Sequence, residues 1–240
     1  MEQGILLSEG TSVDFMIHGV FSYELFGQTV WITTTHVAVL IVMLIIMGFC
    51  LAANRAMKKA EEVPGGFQNV VELVVEMLDG MIGGVMGKHA VRFRNYIGTI
   101  FIFILICNIS GLLGLRPPTA DYGVTFALGI ITFTLIHFNK FKHQKVSGVL
   151  QGLCSPWPIW APINIISDFA VPISLSLRLF ANILSGTAIM ALIYALLAKV
   201  AIAWPAALHV YFDLFSGAIQ TYVFCMLTMT YITDACTTEE

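Results

Sequence analysis

The sequence predicts an all-α integral membrane protein with five membrane-crossing helices and one further helix lying along the cytoplasmic face. Three observations carry that reading. Hydrophobic residues make up 58% of the 240-residue chain and charged residues only 11%, far below the quarter typical of a soluble domain. Apolar runs of spanning length recur along the whole chain, as a single membrane domain over residues 1–240 requires. Lysine and arginine gather in the connections between those runs.

The elements follow in order. Met1 to Ser12 lacks the basic, short-apolar, small-residue pattern of a cleaved signal peptide, so the first apolar stretch, Trp31–Ala53, is expected to remain as an anchor. A hydrocarbon core ~30 Å thick needs roughly 20 apolar residues. Tyr96–Leu115 meets that length and Tyr122–Phe138 approaches it. Phe169–Ala198 and Val200–Thr233 exceed it, each with a single charge, Arg178 and Asp213. At 1.5 Å per residue they would run about 45 and 51 Å, so both must tilt or bend. Pro172 and Pro205 are the candidate sites of distortion. Joined near Lys199, the two long helices are expected to pack as an antiparallel hairpin.

Phe67–Gly87 is apolar enough to span, but Glu72, Glu76 and Asp79 recur at i, i+4 and i+7. That spacing gathers three carboxylates on one helical stripe, with Val71, Leu78 and Ile82 elsewhere on the circumference. A helix lying along the membrane face fits better. Its acidic face does not suit anionic lipid and is expected to meet protein. Pro64-Gly65-Gly66 breaks the chain before it. Ser155-Pro156-Trp157-Pro158 and Pro162 mark another irregular stretch before the fourth span.

Orientation follows from the cations. With the N-terminus outside, Arg55, Lys58, Lys59, Lys88, Arg92, Arg94, Lys140, Lys142 and Lys145 all fall in the cytoplasm. Only Arg116 and Lys199 fall outside. The C-terminus is then cytoplasmic. Were Phe67–Gly87 to span, Lys88, Arg92 and Arg94 would be exported.

Arg178 is the most informative residue. Insertion scales put arginine at a helix centre at roughly 2.5–3.5 kcal/mol, and it cannot shed its proton. Such residues face a partner, a water-filled cavity or a function. Ser174, Asn182 and Ser185 share its face but offer no carboxylate. In the last helix Asp213, Ser216, Gly217 and Gln220 share another face. Two readings stand: a structural Arg178–Asp213 salt bridge, or an ion pathway walled by the two stripes. Asp168 is either an acid at the start of the fourth span or part of an access path. His36, His137 and His209 read first as satisfied histidines near helix ends, and Asn108 as a helix–helix hydrogen bond. The five cysteines are scattered without a C-x-x-C pair or histidine cluster, so buried thiols are expected, with no metal site and no cofactor.

The segment Ser174-Leu175-Ser176-Leu177-Arg178-Leu179-Phe180-Ala181-Asn182, preceded by Pro172, resembles the signature of subunit a of F-type ATP synthases in its bacterial form. Gly217-Ala218-Ile219-Gln220-Thr221-Tyr222-Val223-Phe224 resembles that family's last-helix motif. Asn164-Ile165-Ile166 and Gly114-Leu115-Arg116-Pro117-Pro118-Thr119 are also similar. The resemblance implies a non-catalytic ion-translocating subunit in the bacterial plasma membrane. Its partners would be a rotating ring of c subunits, the b-subunit peripheral stalk and the remainder of the synthase, without nucleic acid. It implies that Arg178 faces the ring and that Gln220 and Asn182 position the guanidinium. Asp168 and Ser174 would fit a cytoplasmic half-channel and Asp213 an external one, for H⁺ or Na⁺.

The chain departs from the common pattern at three positions. Thr187 stands where many members carry glutamate, Asp213 where many carry histidine, and Ala181 where glycine is frequent. One carboxylate thus replaces an ionisable pair in the outer half-channel. A stand-alone secondary transporter would more often show paired interrupted helices in a repeat. An intramembrane hydrolase would show a G-x-S-x-G or H-E-x-x-H motif. Neither is present.

Overall fold

A computed structural model describes residues 19–25, 28–58, 65–113, 116–153, 157–197 and 208–237. Ahead of the first helix lies an antiparallel hairpin, β1 (Gly19–Leu25) paired with β2 (Gln28–Thr33). This corrects the expected first span, because Trp31 to Thr33 are strand. The run is rich in β-branched and aromatic residues, which favour a pleated surface. A short apolar run cannot be told from a helix start by composition.

Helix α1 (Thr34–Met57) begins where Thr33 turns the backbone out of the strand. The His36 ring closes that start: its Nδ1 accepts from the Thr33 N–H at 3.4 Å and meets the Thr33 hydroxyl at 2.7 Å. His36 is thus a satisfied histidine at a helix end, as read from sequence, and the structure adds that it closes the helix start. Only Thr35, Ala38 and Val42 of α1 are buried. The rest of the helix is apolar and open, as suits a lipid-facing surface.

Helix α2 (Gly66–Met86) buries Val71, Leu78, Ile82 and Met86 along one stripe. It turns at Gly87, whose φ of +49° favours glycine, and folds back on α3 (Ala90–Ile109). Asp79 pairs with Arg94 of α3 at 2.8 Å, and Gln68 donates to Glu72 at 2.8 Å. Of the acidic stripe, Asp79 thus meets a neighbouring helix, Glu72 bonds within α2 and Glu76 is exposed.

Helix α4 (Tyr122–Leu153) continues well past Phe138, the expected end of the third span. Helix α5 (Ala161–Leu197) starts eight residues before Phe169, with Pro162 in its first turn, where proline is tolerated. Charged and polar ends extend both helices beyond their apolar runs. α5 stays helical through Pro172, which is buried. A side-chain carbon added to Gly129 of α4 would lie 2.8 Å from the Pro172 carbonyl oxygen, so glycine is required for α4 and α5 to approach there.

A π-helical turn, Val210–Ser216, leads into α6 (Gly217–Cys236). Lys199, Pro205 and the expected hairpin connection lie outside the described residues, as do Cys154 and both termini. Among the described residues, five helical segments are long and apolar enough to cross a membrane: Thr34–Met57, Gly66–Leu112 (α2 and α3 together, with the turn at Gly87 between them), Tyr122–His143, Ala161–Tyr194 and Val210–Cys236. Ile97, Ile104, Leu179, Met229 and Ile232 are wholly buried and join α2 through α6 in one apolar core. Cys107, Cys225 and Cys236 are buried and Cys50 is exposed.

Candidate functional site

Arg178 sits near the midpoint of α5 and is exposed. It makes no hydrogen bond or ion pair among the described residues. Ser174 and Ser185 share its open face, among exposed Ile173, Leu177 and Leu184. The opposite side of the same helix buries Leu175, Leu179 and Ile183. A guanidinium therefore stands on an apolar face that the other described residues leave uncovered. The structural Arg178–Asp213 bridge is not formed.

Asp213 instead meets His209, four residues earlier, at 3.1 Å between Oδ2 and Nδ1. It packs against Gly111, where an added side-chain carbon would lie 3.1 Å from its carboxylate. From the sequence, His209 reads first as a satisfied histidine, with a relay role kept open beside Asp213. The signal was its four-residue spacing from Asp213, which the π turn keeps on one side. That turn also breaks the stripe expected from α-helical spacing, because an i→i+5 turn is wider. Gly217 and Gln220 hold their register on α6, whereas Asp213 and Ser216 belong to the wider turn.

Next to this pair runs a polar seam. Ser216 donates to the Asn182 amide oxygen at 3.0 Å. Asn108 of α3 donates to the Gly217 carbonyl at 3.0 Å and the Thr221 hydroxyl at 3.2 Å, and accepts from Thr119 at 2.9 Å. Asn108 is thus the helix–helix bond expected. The amide nitrogens of Asn182 and Gln220 are buried without a partner among the described residues. A buried donor left unpaired costs about 1–3 kcal/mol, so these two mark places where an acceptor from outside the chain would be favoured.

Asp168 lies two turns inside α5, not at its start. Its Oδ2 meets Lys140 Nζ at 3.1 Å and His137 Nε2 at 3.7 Å, both from α4. His137 donates its other ring nitrogen to the Phe133 carbonyl at 3.1 Å. These groups line a cavity of about 250 Å³ with Ser167, Tyr231 and Asp234. The cavity is at the opposite end of the bundle from Asn108 and Asp213. Of the predicted residues, Asn182, Gln220 and Arg178 share the α5–α6 seam or its edge. Asp168 and Asp213 stand at its two ends, and Ser174 stands one turn from Arg178 toward Asp168.

The sequence profile of the ATP synthase A chain family matches residues 36–233. The chain belongs to the ATP synthase A chain family. It is 36% identical over 233 residues to the sodium-ion-specific ATP synthase subunit a of Propionigenium modestum, covering 90% of this chain and 76% of that protein. It is 31% identical over 196 residues to ATP synthase subunit a of Moorella thermoacetica, covering 81% and 86%. A third relative, ATP synthase subunit a 1 of Chlorobium luteolum, is 30% identical over 227 residues, covering 94% and 96%. As a member of the ATP synthase A chain family, the chain is a multi-pass membrane subunit concerned with ion transport.

Proposed function

We propose that this chain is the stator half of the membrane ion channel, offering two offset half-channels to a rotating ring of c subunits. The single observation that carries the reading is the open, unpaired Arg178 at mid-span. A permanent cation in that position needs an anion from elsewhere, and the uncovered apolar face of α5 can receive another membrane helix. A ring carboxylate passing Arg178 would be held ionised, so its H⁺ or Na⁺ is released. The same charge repels cations and prevents a direct leak between the half-channels.

The outer half-channel ends on Asp213 and the Asn108–Ser216–Asn182 seam. The inner one starts at the Asp168 cavity and reaches Arg178 past Ser174. Asn182 and Gln220 steady the guanidinium. The N-terminus lies outside and the C-terminus in the cytoplasm of a bacterial plasma membrane. The b-subunit stalk holds the chain against the remainder of the synthase. Each charge moved through 100 mV supplies ~2.3 kcal/mol, so several ions are needed per ATP. The chain itself catalyses no covalent step.

The test is Arg178→Ala in the reconstituted complex. Expected is a complex that keeps its ring and soluble head but neither synthesises ATP from an ion gradient nor pumps with ATP. Synthesis at near wild-type rate would overturn the assignment.

A further inference from the structure

Beside Asp213 the structure holds a second ionisable group for which the channel reading has no use. His209 presents Nδ1 to Asp213 Oδ2 at 3.1 Å, and its ring is half-buried while the carboxyl is more deeply set. The Tyr194 ring of α5 lies 6.0 Å from the imidazole. Gly111 leaves room for the carboxylate, which an added side-chain carbon would crowd at 3.1 Å. Among the described residues, the end of α3 and the turn at Ser110–Leu113 carry Cys107 as their titratable residue, and the adjoining end of α5 carries Tyr194. Tyr211 lies on the π turn itself, and Arg116 precedes Pro117, whose ring is 3.3 Å from the same Gly111 position.

The order of these groups is directional. His209 precedes the π turn, Asp213 lies within it, and Ser216 and Asn182 continue toward Arg178. An imidazole titrates near neutral pH and can take a proton on one nitrogen while releasing one from the other. A carboxyl group hydrogen-bonded to it can receive that proton.

We propose that His209 and Asp213 form one proton-handling pair at the outer mouth of the channel, with His209 as the receiving member. This rests on the stator reading above. A proton from outside water binds His209 Nε2, and the imidazolium releases its Nδ1 proton to Asp213 Oδ2. Asp213 passes that proton inward and returns to a carboxylate, while the neutral imidazole resets its tautomer. One proton enters, one leaves, and no other bond changes. The pair supplies on a single helix the two titrating groups that Thr187 and Asp213 by themselves do not.

The experiment uses the complete complex in proteoliposomes, reading ATP-driven acidification, with chain abundance and head retention measured alongside. His209→Asn keeps a hydrogen-bonding side chain beside Asp213 but cannot titrate. It is expected to lower proton pumping by at least ~10-fold, within what a positioned proton-transfer group contributes, at unchanged abundance. The exchange His209→Asp with Asp213→His restores both groups in reversed order and is expected to recover most of the loss. A merely structural contact predicts the reverse: normal pumping by His209→Asn. That result overturns the proposal, as does an assembled exchange variant no better than His209→Asn. Pumping that follows Na⁺ and is indifferent to His209→Asn overturns it too. Arg178→Ala in the same preparation separates the two levels. If it pumps, the stator reading fails; if it is silent while His209→Asn pumps normally, only the pair fails.

Discussion

Asn182 and Ser216 are joined across the α5–α6 seam by a 3.0 Å hydrogen bond, and this contact sets the register of two antiparallel helices. Gly186 meets Phe212 one turn to one side, with an added side-chain carbon 3.6 Å from the Phe212 Cβ. One turn to the other side, the same register brings Gln220 level with Arg178. Gln220 is buried, and its amide nitrogen has no partner among the described residues.

From that register, Gln220→Leu is expected to lower ATP synthesis roughly tenfold in an assembled complex, because a buried amide in the α5–α6 seam is lost. Gln220→Glu is expected to be worse. In the proposed role, a carboxylate added at that level of the seam would compete with the ring for the Arg178 cation. ATP synthesis rates in vesicles, normalised to ring retention, decide the order. Equal rates for the two variants would refute the register.

Asp213→Asn keeps the shape and the hydrogen bond to His209 but removes the carboxylate. Ion flux is expected to fall by roughly tenfold or more, with the chain still present in the membrane. A structural role would instead show as lost protein. Passive ion conduction through the channel after removal of the soluble head, read against immunodetected abundance, separates the two.

The Lys140–Asp168 pair is half-buried on both sides, between the weak surface pairs and the costly buried ones. Lys140→Ala is expected to destabilise the chain by about 1–3 kcal/mol, leaving Asp168 with His137 alone. The double exchange Lys140→Asp with Asp168→Lys should recover most of that. Thermal release of the chain from the purified complex is the measurement. A single variant as stable as wild type would show that the clasp contributes nothing.

Topology gives a fourth expectation. On a background lacking all five native cysteines, a cysteine at exposed Lys142 or Thr237 should react with an impermeant thiol reagent only from the cytoplasm. One at exposed Gly123 should react only from outside. Reaction of Thr237→Cys from the outer face would reverse the threading.

Arg178 was legible because a charge inside an apolar run stands out with no knowledge of its neighbours. The α2 stripe and Asn108 were legible for a related reason, since polar groups within apolar helices need partners. What stayed hidden depended on second helices. Lys140 and Asp168 are 28 residues apart, and periodicity within α4 or α5 contains nothing about their meeting. The His209–Asp213 pair was visible as a spacing but had no context without Gly111 and Tyr194. The π turn escaped because stripes were counted at α-helical spacing, and the β1–β2 hairpin because its second strand merges into the first apolar run.

The close seat of Gly129 on the Pro172 carbonyl has a mechanical side. A stator residue dragged by a turning ring carries a lateral load, and a helix with a proline-broken hydrogen bond six residues away would yield at that weak point first. α4 presses against the weak point itself, backbone to backbone, with no compliant side chain between. In the proposed role, thrust at Arg178 passes through that seat into α4 and the bundle. The arginine keeps its station because its helix is braced where it would otherwise buckle.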